Sequence, residues 1–385
     1  MPLRSSLPQD DRAGQCGRCY NPFLSFRRAF FIGVVALAAA FFADAQKGKK
    51  KTEEPITQTL PVLKDPPPVA KAETGHLIFQ VSPLTNKGLL SAQVREALKT
   101  LMHEAHGAEI VKLRAFVAGT GDMRRVQTIV SEVFTEKKLN LPAVSTIEVG
   151  GLPMEGAQVA MESVAAEKRV VNPNGLALFS GQQAKSVNPA LAQLQTAVRE
   201  AGVDPKAVLR VTCFLSTLDD LPAAKSGIAT VFPGAAADIV QLQRLGVEPL
   251  AECEAVGRLR GAPASPVVFL NPASLAANPN YTQIVLVNTP KLAFTGTQMA
   301  FRDQESDVKL AFERLGKVLD SVGVTYKEVV WSSVYPLTRT IADKVRAVRG
   351  QFYDHTHPPA STFLLFEGLP SLDATVAVEV VAGGR

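Results

Sequence analysis

The chain of 385 residues holds one tryptophan, five tyrosines, five histidines and four cysteines. Each scarcity removes a class of chemistry. Cys16 and Cys19 form a C-x-x-C that would leave with an N-terminal leader, so they carry no redox or metal role. Cys213 and Cys253 lie on expected strands, where a disulfide and two buried thiols are both open. His103 with His106, and His355 with His357, lack the third and fourth ligands a metal needs, and no metal is expected. No G-x-S-x-G, Walker loop or dinucleotide fingerprint occurs, and no cofactor is expected. The longest apolar run, Ala29 to Ala43, has 15 residues. A helix needs about 20 to cross a bilayer, so no stable membrane span is expected. Charge of one sign is also missing from the body of the chain. Residues 1–51 carry nine Lys/Arg against three Asp/Glu, a surplus of six, while the whole chain is +5. The remainder is therefore −1, which argues against a nucleic-acid partner.

What is present begins with a leader. Arg27-Arg28, the apolar run and Ala43-Asp44-Ala45 have the order of a secretory signal peptide, assigned to residues 1–45. Arg27-Arg28 after Ser25 also fits a twin-arginine signal. Export to the periplasm or the medium is expected, with Gln46 as the mature N-terminus. A Lys/Pro-rich stretch over 46–75 has no periodicity and reads as a disordered tether.

The rest repeats itself. Helix stops fall at Gly107, Gly202 and Gly323, bends at Leu152, Leu245 and Leu369, and late glutamates at Glu162, Glu254 and Glu379. The offsets agree, at 95, 93 and 92 residues and then at 121, 124 and 125. An internal repeat replaces one large fold by a small one used three times. The expected domains are 76–167, 168–264 and 265–385.

The third unit is the clearest. Val308, Ala311, Phe312, Leu315, Val318, Leu319 and Val322 make one face of a helix that stops at Gly323. Val329 to Tyr335 reads as a strand, and Ile341, Val345, Val348 and Phe352 as a second helix. Ser361 to Phe366 and Thr375 to Val381 read as two strands. Thr282 to Val287 and Leu292 to Thr295 suggest an opening hairpin. Strands with two helices on one face make an α+β layer, and the other sheet face is also apolar, so it should pack against the other units.

These residues resemble the Rid (YjgF-like) family, also labelled endoribonuclease L-PSP. Asn280-Tyr281-Thr282-Gln283 is similar to the family's opening Tyr-Ser-Gln, and Phe294-Thr295-Gly296-Thr297-Gln298 to its Ser-Gly-Gln strand. Pro359-Ala360-Ser361-Thr362 resembles Pro-Ala-Arg-Ser, and Val378-Glu379-Val380-Val381-Ala382 the closing Ile-Glu-Ala-Ile-Ala. The second unit keeps Phe179-Ser180-Gly181-Gln182 and Glu254-Ala255-Val256-Gly257; the first, with Pro142-Ala143-Val144-Ser145, is the most worn. The resemblance implies three chorismate-mutase-like domains forming a covalent pseudo-trimer about a central barrel. It would be a monomer with internal threefold pseudosymmetry and small-molecule clefts between domains.

The family hydrolyses reactive enamines and imines to 2-oxo acids and ammonia, and an arginine holds the substrate carboxylate. Here the aligned positions are Val144, Ala237 and Ser361. The resemblance then implies Glu379 as base or water anchor, Tyr281 as cleft wall or donor, and Ser361, Gly296, Glu254 and Glu162 as ligand-binding residues. The reading is an exported binder of a small metabolite without normal deaminase activity. The alternatives are a deaminase using a substitute cation, a ribonuclease, and a purely structural or interaction protein.

Overall fold

The computed structural model describes residues 62–384 apart from 120 and 247. The expected leader, and the tether up to residue 61, lie outside the described residues. After strand β1 (Val69–Glu73), the order strand, helix, strand, helix, strand, strand recurs three times. The first unit runs β2 (Leu77–Val81), α1 (Leu90–Glu104), β3 (Glu109–Ala118), α2 (Arg124–Glu136), β4 (Ala143–Val149) and β5 (Val159–Ala166). The second runs β6 (Leu176–Ala184), α3 (Val187–Glu200), β7 (Val208–Leu215), α4 (Leu221–Val231), β8 (Ala236–Gln241) and β9 (Ala251–Arg258). Two short strands, β10 (Val267–Leu270) and β11 (Ile284–Val287), precede the third. That unit has β12 (Lys291–Thr295), β13 (Gln298–Phe301), α5 (Glu305–Asp320), β14 (Val329–Pro336), α6 (Arg339–Arg349), β15 (Ala360–Phe363) and β16 (Ala374–Gly384).

The local reasons follow the sequence. Helix α5 opens with a capping box between Gln304 and Asp307 and buries Val308, Ala311, Phe312, Leu315 and Leu319. Each such large side chain contributes about 1.5–3 kcal/mol on burial. The three stop glycines have φ of +86° (Gly107), +66° (Gly202) and +75° (Gly323). A Cβ at any of them would meet nothing within 4 Å, so their requirement is conformational, not steric.

The strands form three sheets, ordered β2-β5-β3-β4, β10-β11-β6-β9-β7-β8 and β1-β12-β16-β14-β15, with β13 also on β16. Two expectations are corrected here. Residues 69–73, read as tether, are strand β1 and pair antiparallel with β12 of the third unit. Thr282 to Thr295 is no hairpin: β11 pairs with β6 of the second unit, Ile284 opposite Phe179. The physical reason is common to both. β6 and β12 each have an open edge, and the preceding strand of another unit satisfies its N–H and C=O groups.

Helices cover the outer face of each sheet around three separate cores. The inner faces meet in two further clusters drawn from all three units. One holds Phe116, Phe214, Tyr335 and Phe366, whose rings contact one another at 5.0–6.4 Å. The other holds Leu77, Val164, Leu178, Val256, Phe294 and Trp331. On β5, Ala160 belongs to the first cluster and Val164 to the second. The two-residue period of a strand puts Glu162 between them on the same face. A polar row is thereby held between two apolar layers.

Candidate functional site

That row contains the three late glutamates, each from a different unit. Glu379 is opposite Ser333 on β14, Glu162 opposite Arg114 on β3, and Glu254 opposite Thr212 on β7. All three are nearly closed to solvent. A buried carboxylate stays charged only when paired and hydrogen-bonded, and each of these three is.

Glu379 receives Lys112 from the first unit, Nζ to Oε2 at 2.5 Å, and the Tyr335 hydroxyl at 2.6 Å on its other oxygen. Ser145 of the first unit also donates to it. Lys112 Nζ lies 2.6 Å from Ser145 Oγ and 2.6 Å from the Thr295 carbonyl oxygen, so its three protons have three acceptors. Burial pushes the Glu379 carboxyl up, but Lys112 and then Arg114 overcome this and hold it below the usual carboxylate range. Burial lowers the Lys112 ammonium against the pull of Glu379.

Arg114 bridges the other two carboxylates. Its Nε donates to Glu162 at 2.7 Å and its Nη2 to Glu254 at 2.7 Å. Thr212 donates to Glu162 at 2.5 Å, and Arg210 Nη1 approaches Glu162 at 3.2 Å. Thr362 of the third unit donates to Glu254. Despite burial, Glu162 and Glu254 keep the Arg114 guanidinium well above its ordinary value. Glu162 is held low once Arg114 and Arg210 outweigh its burial. Three buried carboxylates thus face two buried cations, Lys112 and Arg114, and the partly buried Arg210.

Groups that meet the glutamates from a neighbouring unit follow a cycle. Ser145, Asp238 and Thr362 each come one residue after the position where the resemblance expects arginine. Ser145 reaches from the first unit to Glu379 of the third, and Thr362 from the third to Glu254 of the second. The second unit reaches Glu162 of the first through Thr212, while Asp238 makes no bond to it: burial and then repulsion by Glu162 push its carboxyl up to about 7. A cavity of ≈ 60 Å³ borders the row, lined by Phe79, Arg114, Arg210, Phe294, Trp331 and Glu379 among others. Since one water needs about 10–15 Å³ on this measure, it holds a few waters rather than a metabolite.

The expected site residues are only partly brought together. Tyr281 does not meet Glu379. It is partly exposed, and its hydroxyl is raised by burial and then by Glu252 of the second unit. Glu252 is buried beside Gly181, where a Cβ would come within 1.9 Å of its Oε1. Among the described residues it has no hydrogen-bond or ion-pair partner, and burial, then Glu254, push it up to about 8. Ser361 is buried, with its N–H bonded to Ser180 Oγ at 2.8 Å and its hydroxyl to the Ser332 carbonyl at 2.8 Å. Gly296 packs on the first unit, a Cβ there meeting Val144 O at 3.0 Å. Cys213 and Cys253, directly opposite on β7 and β9, form a disulfide.

Sequence reasoning missed Lys112, Arg114 and Arg210. A signal was there: Lys112 and Arg114 interrupt one face of the apolar run Ile110 to Val117, and Arg210 and Thr212 repeat that spacing 98 residues later. Charges on a strand buried on both faces must find partners. Among the described residues no group of three or more His, Cys, Asp or Glu is placed to hold a metal, and no helix is long and apolar enough to cross a membrane.

Residues 71–167 match the sequence model of the family described as endoribonuclease L-PSP. That stretch is the unit whose motifs are the most worn. No curated protein matches the chain. Matching solved structures include a Rid-family protein of unknown function, YyfB from Yersinia pestis, at 18% identity with a TM-score of 0.30, covering 31% of this chain and 100% of that one. A YjgF-family protein from Mycobacterium tuberculosis has 19% identity and a TM-score of 0.23, covering 27% of this chain and 86% of that one. TdcF from E. coli, solved with bound serine, has 18% identity and a TM-score of 0.23, covering 24% of this chain and 81% of that one.

Proposed function

We propose that this chain, which belongs to the endoribonuclease L-PSP (Rid) family through residues 71–167, is an exported, covalent pseudo-trimer that binds a small metabolite and does not hydrolyse imines. The observation that carries this reading is the engagement of every late glutamate by the chain's own groups. Water activation needs a carboxylate open to substrate beside a carboxylate clamp. Glu379 instead accepts from Lys112, Ser145 and Tyr335. Lys112 is the substitute cation that a deaminase reading requires, but all three of its donors are occupied within the protein. The cyclic order of contacts, first unit to third, third to second and second to first, supports the pseudo-trimer. A ring of three head-to-tail contacts closes without a partner chain, and light scattering should find a monomer. The Cys213–Cys253 disulfide supports an oxidising compartment, and sequencing of the mature protein should begin at Gln46.

Ligand-sized space lies elsewhere. A groove of ≈ 730 Å³ runs between the second and third units, within the usual range of about 300–1,000 Å³ for metabolite sites. Lys185 lines it with two ion pairs that a ligand would exchange, Arg339 with Glu248 at 3.6 Å and Arg346 with Asp343 at 2.6 Å, over a floor that includes Leu250 and Phe363. Both signs of charge in one groove suit a small zwitterion such as an amino acid. Calorimetric titration of the chain with a panel of amino acids tests this. Saturable heat that weakens in Arg339→Ala and in Glu248→Ala supports it, and no heat with any of the panel refutes it.

A further inference from the structure

Helix α6 ends in an arginine that no hydrogen-bond acceptor among the described residues answers. Arg349 is only 3% exposed. Its two terminal nitrogens are both closed to water and have no hydrogen-bond partner among the described residues. Its guanidinium lies over the ring of Tyr353 at 5.4 Å and that of Phe363 at 5.8 Å. Neither ring supplies an oxygen acceptor to the two terminal nitrogens. The donor fork is left without a hydrogen-bond acceptor.

The acids nearby are committed elsewhere. Asp343 is 2.6 Å from Arg346. Asp354 accepts from the Thr356 N–H and hydroxyl at 2.8 and 2.6 Å, and lies 3.5 Å from His357. Burial lowers the Arg349 guanidinium, and no carboxylate offsets it. A buried charge without a partner is costly, and such a group in a native protein calls for an explanation. Arg349 also lines a pocket of ≈ 390 Å³ with Asn280, Arg346, Gln351, Asp354 and His355. With Arg346 paired to Asp343 and Asp354 engaged by Thr356, Arg349 is the charge in this lining left without an acceptor.

We propose that Arg349 is the floor of an oxyanion site, taking the carboxylate or phosphate of a small metabolite bidentately through its two terminal nitrogens. Arg346, three residues earlier on the same helix, stands at the rim, and the amides of Asn280 and Gln351 supply neutral donors. Because the fork is closed to water, an anion reaches it only as the lining segment 350–358 yields. This site is separate from the row of glutamates.

The test is titration calorimetry on the full chain with inorganic phosphate and, separately, with pyruvate, at constant ionic strength. The wild type should give saturable binding with at least one of them, and which one identifies the oxyanion. Arg349→Met should weaken it at least about tenfold, the loss of one charge-assisted contact. Arg349→Lys, which keeps the charge but not the fork, should fall between. Without anion, Arg349→Met should unfold at a higher temperature than the wild type, because it removes an unpaired cation. No binding of either anion by the wild type overturns the proposal. So does binding that survives unchanged in Arg349→Met, since that heat belongs to another site. Should the methionine variant fail to fold, the lysine variant decides on the same terms.

Discussion

Replacing Lys112 by methionine isolates the contact that closes the cleft beside Glu379. The change keeps most of the apolar stem and removes the only cation bonded to Glu379 among the described residues. Breaking a buried pair by deleting one partner costs about 3–5 kcal/mol, because the other charge stays buried. Tyr335 and Ser145 still donate to Glu379, and Arg114 still acts on it from a distance, so the lower end, about 3 kcal/mol, is expected. The sign with pH is equally specific. In the wild type Glu379 titrates below its unfolded value of about 4.3, so its contribution is complete above that pH and is lost as acid approaches the folded value. In Lys112→Met burial raises the carboxyl instead. The cost is then present above about pH 4.3 and disappears below it. Urea unfolding at pH 7 and pH 4 reads both effects. The double variant Lys112→Met with Glu379→Gln should recover most of the loss, giving a coupling of about 2 kcal/mol or more. A single variant within about 1 kcal/mol of wild type at pH 7, as for a surface pair, or a deficit unchanged at pH 4, would refute this account of the row.

Three further outcomes follow from the same geometry. Asp238, with its Oδ2 unpartnered and its carboxyl up at about 7, loses stability as pH rises from about 4 to 7; Asp238→Asn should therefore be more stable than wild type at pH 8, by the order of a few kcal/mol, with the gap closing at pH 4 in urea titrations. The Cys213–Cys253 disulfide closes a loop of sequence separation 40, so its reduction should lower the free energy of unfolding by up to about 4 kcal/mol, read as a lower urea midpoint under dithiothreitol. Ser361→Arg should not create a carboxylate clamp: the position is 3% exposed and both its polar groups are bonded, so overpacking by about 1–3 kcal/mol and unchanged affinity for 2-oxo acids are expected from unfolding and calorimetry.

The elements were legible where local signals decide them. Periodicity and stop glycines located α5 and β14, and β7 falls on Val208 to Leu215 as the β-branched run suggested. The exchanged strands were not legible, because nothing in Thr282 to Val287 says which sheet edge will accept its hydrogen bonds. A turn of Asn288-Thr289-Pro290 looks the same whether the chain folds back or crosses over. The late glutamates were visible as a repeated position. Their partners were not, since Lys112, Ser145 and Glu379 are up to 267 residues apart in sequence and meet only when three sheets pack. Tyr281 and Glu379 share a sequence unit but not a site, for the same reason: β11 carries the region of Tyr281 to the second unit's sheet. The buried disulfide was one of two open readings, and cross-strand register decided it.

Ammonia release tests the central claim most directly. An imine of a 2-oxo acid, generated in the assay from its amino acid by an oxidase, hydrolyses spontaneously at a measurable rate. With every late glutamate held by Lys112, Arg114 or Arg210, addition of the purified chain should leave that rate unchanged at any protein concentration. A rate that rises in proportion to the protein, saturates with imine and falls in Glu379→Gln would contradict the account.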